Sequence, residues 1–290
     1  MFWKDLCEGD FDEAVKRADG LCVIPVGCFE MHGKHLPVGT DVYEAEAVAA
    51  EMARLEEAVV FPAFEFGDVA GLVDVKGGVN LDPVLRLQLL ENYCEEIARH
   101  GFDKILLLNY HGGNPAFLTY FMNMLEEKPR TFTALSCFPV PLFVEEIWPT
   151  IKERGAGAYP ELQPEDIEVI RDHVEEGKLD GHGGLLETCL MLAIRPELVK
   201  MERLGEVSGL STHVGDAFAK AGLQSTAFWY FNFPNGGFCG HDPVGASARI
   251  GKLLLRLSAE KAATAARVFK ENGAVLAARR EQKRPFYTKH

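Results

Sequence analysis

The sequence lacks both a surplus of basic residues and a long apolar run, and each absence argues against a class of protein. It has 30 lysines and arginines against 43 aspartates and glutamates, for a net charge of -13, whereas a nucleic-acid-binding protein presents a basic face. No apolar run approaches the roughly 20 residues of a membrane-spanning helix. We therefore expect neither nucleic acid nor a membrane as a partner, and a small-molecule substrate instead.

The sequence also lacks paired cysteines and an export signal. Its 7 cysteines are scattered without a C-x-x-C pair, which argues against a disulfide framework or a zinc ribbon and favours idle or buried thiols in a reducing compartment. The first residues, MFWKDLCEGDFDE, show no charged-then-apolar signal pattern. We expect a cytoplasmic protein.

Short apolar runs alternate with helical patterns through the first half of the chain. The continuous apolar segments Leu21–Val26 and Lys104–Asn109 are typical of parallel strands covered on both faces. Further strands are predicted at 59–61 and 131–137, and helices at 11–19, at 42–57, from Asp82 to Gly101 and after Asn114, which we expect to cap its helix. This order predicts an α/β fold of three layers, α/β/α, around a mostly parallel sheet.

The second half of the chain changes character between residues 139 and 180. That stretch is rich in proline and charge, with a polar helix predicted near 164–176, and we interpret it as an insertion or cap on a single domain of residues 1–290. Trp148 is a candidate lid residue by its position there. Further predictions are a helix at Leu185–Ile194, an aromatic strand at 227–233 that serves as core or pocket wall, and closing helices at 244–271 and 274–284.

Residues 23–41, VIPVGCFEMHGKHLPVGTD, hold the densest group of candidate functional side chains. Glu30 and His32 are two apart after a predicted strand, so in extended backbone both leave from the same side. Asp41 follows after a loop, and two carboxylates with an imidazole are typical ligands of a divalent metal ion. The alternative is a polar loop of unrelated charges, in which Asp41 and Glu44 form a capping box for the next helix.

Two distant segments carry matching residue types. His111 follows the Lys104–Asn109 strand, and because parallel strands share the edge at which ligands bind, it belongs beside Glu30 and His32. The alternative is a histidine that caps a strand end by hydrogen bonds. In DGHGGLLET, at 180–188, His182 precedes a helix and Glu187 lies in its first turn among apolar residues, where a carboxylate is expensive without a cation or donor. The alternatives are a loop histidine and a solvated glutamate favoured by the helix dipole.

The segments GCFEMHGKHLPVGTD, NYHGGN and HGGLLET resemble the three motifs of the creatininase family of metal-dependent amidohydrolases, in the family's order. A fourth segment, GFCGHDP at 237–243, resembles the family's Gly-x-x-Gly-Asp-Pro turn, with His241 as an extra residue. The resemblance spans residues 20–255. It implies the three-layer fold and a homo-oligomer, which in this family is often a hexamer.

The resemblance also implies a centre of two divalent metal ions, with zinc expected first and manganese or iron as alternatives. Asp41 would bridge the ions, Glu30 and His111 would complete one site, and His32 and Glu187 the other. The ions would activate a water molecule by lowering its pKa to about 7. His182 would carry a proton from that water to the leaving nitrogen, and His35 would support the ligands.

One residue departs from the family's pattern. Creatininases proper place a metal-binding glutamate two residues after the motif histidine, where this chain has Gly113, so creatinine is a doubtful substrate. We expect hydrolysis of a non-peptide C–N bond in a cyclic amide or formamide. The alternatives are a peptidase of the same family, an oxygenase with a single iron held by two histidines and a carboxylate, and a metal-binding protein without catalysis.

Overall fold

A four-stranded parallel sheet forms the centre of the computed structural model, which describes residues 1–69, 72, 75–178, 181–223, 225, 227–239 and 243–287, with side chains as far as 282. The strands are β1 (Leu21–Val26), β2 (Val59–Val60), β3 (Lys104–Asn109) and β4 (Thr133–Cys137), in the order β2-β1-β3-β4. All three pairings are parallel. The predicted strands of the first half of the chain are confirmed.

Eleven α-helices surround the sheet within the described part of the chain. They are α1 (Phe11–Arg17), α2 (Thr40–Leu55), α3 (Pro83–Arg99), α4 (Asn114–Leu125), α5 (Trp148–Arg154), α6 (Pro164–Glu175), α7 (Leu185–Ile194), α8 (Asp216–Lys220), α9 (Ala227–Asn232), α10 (Ala248–Glu271) and α11 (Gly273–Tyr287). None of the helices in these ranges is both long and apolar enough to cross a bilayer.

Alternating side chains of the strands divide the core into two clusters. From β1, Leu21 and Val23 pack with α2, α7 and α10 on one face, whereas Cys22 and Ile24 pack with α1, α3 and α4 on the other. Because successive side chains of a strand point to opposite faces, a strand buried on both sides must be apolar throughout. The predicted three-layer α/β fold is confirmed.

The order of the strands creates the crevice in which the candidate site lies. From β1 the chain passes to β2 on one side and later to β3 on the other, so β1 and β3 are neighbours and Val26 pairs with Asn109. Ligands bind outside the carboxyl ends of the strands at such a reversal, because the connecting loops diverge there. The segments after β1 and β3 therefore meet at one place.

Two predicted helix caps are wrong, although the helices themselves form. α2 begins at Thr40 with Gly39 before it, so Asp41 lies inside the first turn and caps nothing. α4 begins at Asn114 itself, and the side chain of that residue bonds Asn109 and the backbone of Asp68 instead. In both cases the side chain bonds residues from other segments of the chain instead of the backbone of its own helix. The Asp82 cap of α3 is confirmed by bonds from two backbone amides.

The aromatic segment at 227–233 is a helix, α9, and the strand prediction is wrong. Rings three and four residues apart make contact, since Phe228 lies 6.3 Å from Phe231 and Trp229 lies 4.7 Å from Phe233. A short run of aromatic residues fits either period, and tertiary context decides between them. No described strand pairs with this segment, so nothing satisfies an extended backbone there.

Trp148 is not a lid residue. Its side chain is 8% exposed and belongs to the same core cluster as α2, α7 and α10. Phe143 and Ile147, from a π-helical stretch just before it, and Ile151 of α5 join that cluster. Part of the segment 139–180 therefore packs into the main core. The helix predicted near 164–176 is confirmed as α6.

Candidate metal centre

Close backbone contact brings the loop after β1 to the first turn of α2. A Cβ atom on Gly27 would lie 2.6 Å from the backbone nitrogen of Val42, so only glycine fits there. The contact places Glu30 and His32 beside Asp41. All three side chains are buried, with at most 2% of each residue exposed.

The loop after β3 adds His111 to this group. Its Nε2 donates to the carbonyl oxygen of Asp68 at 2.9 Å, which turns Nδ1 inward. That nitrogen lies 3.1 Å from Oε1 of Glu30 and 3.3 Å from Oδ2 of Asp41. A backbone carbonyl that fixes one imidazole nitrogen so that the other faces carboxylates is the usual arrangement of a metal-binding histidine.

His32 is oriented in the same way. Its Nδ1 donates to the carbonyl oxygen of Glu30 at 3.2 Å, and its Nε2 lies 3.2 Å from Oδ1 of Asp41 and 3.7 Å from Oε2 of Glu187. The two oxygens of Asp41 are thus divided, with Oδ1 toward His32 and Oδ2 toward His111. A carboxylate between two imidazoles in this manner is able to join two neighbouring ions.

Glu187, in the first turn of α7, reaches the centre from the opposite side. Its Oε2 accepts a hydrogen bond from the backbone nitrogen of Gly183 at 2.6 Å. Burial raises the pKa of this carboxyl to about 7, although the neighbouring His32 opposes the shift. The structure therefore brings all five residues that the motifs singled out as ligands into one centre.

His182 lies at the rim of the centre. Its Nε2 donates to the carbonyl oxygen of Met31, its Nδ1 lies 3.3 Å from Oε1 of Glu30, and its side chain is 13% exposed. Burial lowers the pKa of the imidazole below its ordinary value, although Glu30 favours the charged form. The ring is therefore neutral near pH 7 and able to accept a proton. Asp180, at the start of this motif, lies outside the described residues.

His35 supports the centre without facing it. Its Nε2 donates to Oγ1 of Thr188 at 2.9 Å, and that hydroxyl donates to the carbonyl oxygen of Gly183. Thr188 follows Glu187 in α7, so the bond fixes the first turn of that helix. Burial lowers the pKa of His35 to about 4, which keeps the ring neutral.

Cys28 lies in the centre although the sequence predicted only an idle or buried thiol there. The residue is fully buried, and its sulfur donates to Oδ2 of Asp41 at 2.9 Å. Burial and the charge of Asp41 raise the pKa of this thiol well above its ordinary value. The available signal was its position two residues before Glu30, the spacing that places His32 on the same side. No disulfide bond joins two cysteines of the described residues.

Three overlapping clusters of ligand atoms result, each with its atoms within 4.8 Å of one another. They are Cys28 with Glu30, Asp41 and His111; Glu30 with His32 and His182; and His32 with Asp41 and Glu187. One atom, Oε1 of Glu30, is buried and meets the geometry of no hydrogen bond within the described structure, although Nδ1 of His111 lies 3.1 Å and Nδ1 of His182 3.3 Å from it. Such an atom is costly unless a cation meets it.

The electrostatics of the centre favour added positive charge. Burial lowers the pKa of His32, but Asp41 and Glu187 outweigh it and raise that pKa to about 10. For His111, burial also lowers the pKa, but Glu30, Cys28 and Asp41 together outweigh burial and raise the pKa well above its usual range. The carboxylates hold protons on both rings when no metal is bound. A divalent ion would take the place of those protons, and the nitrogen and oxygen donors fit zinc, manganese or iron.

Two aromatic side chains of α9 lie beside His182. A Cβ atom on Gly237 would lie 3.2 Å from both Nε1 of Trp229 and Cε1 of Tyr230, and 3.5 Å from Cδ2 of His182. Trp229 also donates from Nε1 to the carbonyl oxygen of Gly237. The two rings therefore lie near the centre, on a helix instead of the predicted strand, and their role as a pocket wall stays a prediction. His241, in the turn that follows, lies outside the described residues.

Comparison with known proteins decides the family. A family model described as "Creatininase: Creatinine amidohydrolase" matches residues 4–266. The chain belongs to the creatininase family. The chain is an amidohydrolase of this family. The resemblance of its three motifs is confirmed.

Three relatives of this creatininase-family chain illustrate the match. Creatinine amidohydrolase of Pseudomonas putida is 28% identical over 212 residues, covering 70% of this chain and 75% of that protein. A mycofactocin precursor peptide peptidase of Mycobacterium tuberculosis is 32% identical over 118 residues, covering 37% of this chain and 47% of that protein. The solved structure described as "Creatininase Mn" has a TM-score of 0.68 at 23% identity, covering 92% of this chain and 97% of its own, and shows a shared fold.

Proposed function

We propose that the protein hydrolyses a non-peptide C–N bond in a cyclic amide or formamide, using a water molecule activated by two divalent metal ions. The observation that carries the proposal is the division of the Asp41 carboxylate between His32 and His111. An aspartate with one imidazole at each oxygen fits two adjacent ions better than one. The buried Glu30 oxygen without a hydrogen bond supports a cation at the same place.

Each ion has its own ligands in this proposal. Glu30 and His111 would hold the first ion, His32 and Glu187 would hold the second, and Asp41 would be a ligand of both. Bound divalent ions supply a water molecule of lowered pKa and a Lewis acid for the substrate carbonyl. We propose zinc first, with manganese or iron as alternatives, because the identified donors are nitrogen and oxygen atoms.

His182 has the position and the protonation state for proton transfer. It is neutral near pH 7, its Nδ1 faces Glu30 at 3.3 Å, and the bond from its Nε2 to Met31 fixes the ring. We assign it the proton of the attacking water, which it delivers to the leaving nitrogen. Trp229 and Tyr230 flank the same histidine, and their flat rings suit a planar amide.

The residue at position 113 argues against creatinine as the substrate. A Cβ atom there would lie 2.4 Å from Nε2 of His111 and 2.8 Å from the carbonyl oxygen of Asp68. The loop after β3 therefore has no room for the glutamate that creatininases proper place there. We propose a different cyclic amide or a formamide.

Peptide cleavage is the second candidate function. The similarity to the mycofactocin precursor peptide peptidase favours it, although that similarity covers 37% of this chain. A screen of lactams, hydantoins, formamides and short peptides with zinc- or manganese-loaded protein separates the two. Release of product from a cyclic amide or formamide supports the proposal, and cleavage of peptides alone assigns the second function.

Metal counting tests the centre itself. Two ions per chain, removed together with activity by a chelator, are the expected result. One iron per chain with oxygen-dependent turnover assigns an oxygenase instead. A chain that binds no divalent ion overturns the proposal, and one that binds two ions but turns over no substrate is a metal-binding protein.

A further inference from the structure

We propose that Cys28 is a ligand of the ion held by Glu30, Asp41 and His111, and that it supplies a thiolate to that position alone. The inference rests on the proposed metal centre. It adds a donor of a different chemical class to the two nitrogen and oxygen sites assigned above. One ion would then have a sulfur ligand, and its neighbour would have none.

The distances place the thiol within reach of the same ion. Its sulfur lies 2.9 Å from Oδ2 of Asp41, and the four ligand atoms of Cys28, Glu30, Asp41 and His111 lie within 4.8 Å of one another. Zinc binds sulfur at about 2.3 Å and nitrogen or oxygen at about 2.0–2.2 Å, so a sulfur and an oxygen ligand of one ion are at most about 4.5 Å apart, and the 2.9 Å contact of Cys28 with Asp41 lies inside that limit. Four protein donors and the shared water would give this ion five ligands, a number that catalytic zinc sites reach.

The carboxylate of Glu30 supports a cation within this cluster. Oε1 of Glu30 belongs to a residue that is 2% exposed, and it meets the geometry of no hydrogen bond within the described structure. His111 is held with Nδ1 toward that oxygen by its bond to Asp68. The donors around Cys28 are therefore already oriented toward a shared point.

The setting of Cys28 differs from that of a packing cysteine. Cys22, in β1, lies in an apolar cluster with Cys94 of α3, where sulfur serves as a small hydrophobic side chain. Among the described residues, Cys28 is the one cysteine whose sulfur joins a cluster of ligand atoms. Its position is also fixed, because Gly27 lies against the backbone of Val42.

Charge balance favours the thiolate. Glu30, Asp41 and Glu187 carry three negative charges against the four positive charges of two divalent ions. On coordination the S–H bond of Cys28 breaks, its proton leaves to solvent and a sulfur lone pair binds the metal. The protein then supplies four negative charges to a buried centre, which balance the two ions while the bound water is neutral.

With a thiolate ligand at one position only, the two positions would differ in their relative affinities for zinc and manganese. Thiolate favours zinc, whereas carboxylate and water ligands suit manganese. The Cys28 position should therefore prefer zinc strongly over manganese, and the position of His32 and Glu187 should discriminate less. Mixed metal supply is expected to fill the two positions with different ions.

X-ray absorption of the zinc-loaded wild-type protein tests the inference without any substitution. With two zinc ions per chain, we expect one sulfur neighbour at about 2.3 Å for every two zincs. A zinc shell of nitrogen and oxygen alone, in protein that holds two zincs, overturns the inference and leaves the proposed hydrolase intact. Failure to bind any zinc overturns both.

Cobalt substitution provides the matched variants. The cobalt-loaded wild type should show a near-ultraviolet sulfur-to-cobalt charge-transfer band, which Cys28→Ser loses and the buried control Cys94→Ser keeps. Cys28→Ser should also bind zinc more weakly at one position. Loss of a residue that only orients a metal ligand lowers metal affinity by about 10–100-fold, and we expect at least that loss here. A band that persists in folded Cys28→Ser, checked by circular dichroism, contradicts the assignment.

Discussion

Gly27 lies against the backbone of Val42, and a Cβ atom on Gly27 would stand 2.6 Å from the nitrogen of Val42 and 2.7 Å from the carbonyl carbon of Asp41. This contact joins the loop after β1 to the start of α2. Both segments carry ligand-type side chains. They can lie this close together only because Gly27 has no Cβ atom. The centre depends on that glycine as much as on its charged residues.

Substitution of that glycine should separate the two segments. Gly27→Ala is expected to lower the free energy of unfolding by about 1–3 kcal/mol, the usual size of overpacking, and to reduce metal content because Asp41 moves away from Glu30. Chemical denaturation and metal analysis measure the two effects. In the control Gly39→Ala, the new Cβ would lie 3.5 Å from the Tyr43 ring, an ordinary contact, so both quantities should stay near wild type. Full metal content in Gly27→Ala would show that the contact is not needed.

Glu187→Gln should remove one ion and abolish turnover. The amide keeps the volume of the side chain but loses the charge that His32 faces at 3.7 Å. Metal analysis is expected to give one ion per chain, with no detectable hydrolysis. The control Glu197→Gln, on an exposed pair with Arg195, should keep two ions and wild-type rates. Two ions and normal rates in Glu187→Gln would assign the second position to other residues.

His182→Ala separates proton transfer from metal binding. If His182 moves protons, both ions stay bound while kcat falls by about 10²–10⁴, the usual contribution of a general acid–base group. If it is a ligand, as its cluster with Glu30 and His32 permits, metal content falls as well. The exposed His213→Ala serves as the control. Loss of metal in His182→Ala would exclude the assigned role.

Glu44→Leu should stabilise the protein. Glu44 is fully buried in α2, and neither of its carboxylate oxygens has a hydrogen-bond partner within the described structure. Burial first, and then the charges of Glu187 and Asp41, raise its pKa well above the ordinary value. Removal of an unsatisfied buried polar group is expected to raise the free energy of unfolding by about 1–3 kcal/mol. The partly exposed Glu51→Leu, on the same helix, should change it by less than about 0.5 kcal/mol. Destabilisation by Glu44→Leu would mean that the carboxyl has a favourable partner.

Asp166 should link stability to pH. It accepts hydrogen bonds from Arg249, Ser247 and the backbone of Gln163. Burial raises the pKa of its carboxyl, but these bonds outweigh burial and hold that pKa below its ordinary value. The contribution is therefore present above the unfolded pKa of about 3.9 and is lost as pH falls through the lower folded value. Asp166→Asn should lose about 1.5–3 kcal/mol at pH 7 and progressively less in acid.

Denaturation in the presence of a chelator, at pH 7 and stepwise to pH 3, measures this difference between the wild type and Asp166→Asn. Asp172→Asn, on the exposed side of the same helix, is the control and should change stability by less than about 0.5 kcal/mol at either pH. A difference for Asp166→Asn that stays constant with pH would exclude the link.

Some parts of the site followed from local pattern and others did not. Glu30, His32 and His111 could be predicted because they follow apolar runs that form β1 and β3, and parallel strands deliver their ends to one edge. Cys28 fits the same two-residue spacing, yet a cysteine next to a glycine is also an ordinary buried residue. Only its 2.9 Å contact with Asp41 distinguishes a residue of the centre from an ordinary buried cysteine.

The sequence by itself determined the strands, the three-layer order and five ligand-type side chains, because apolar period and strand ends are local properties. Tertiary structure decided the rest. It decided for Asp41 between the helix cap and the centre, folded the aromatic segment into α9 instead of a strand, and buried Trp148 in the core. For each of these residues the local sequence pattern fits two different structures. The contacts that decide between the two structures come from segments far away along the chain.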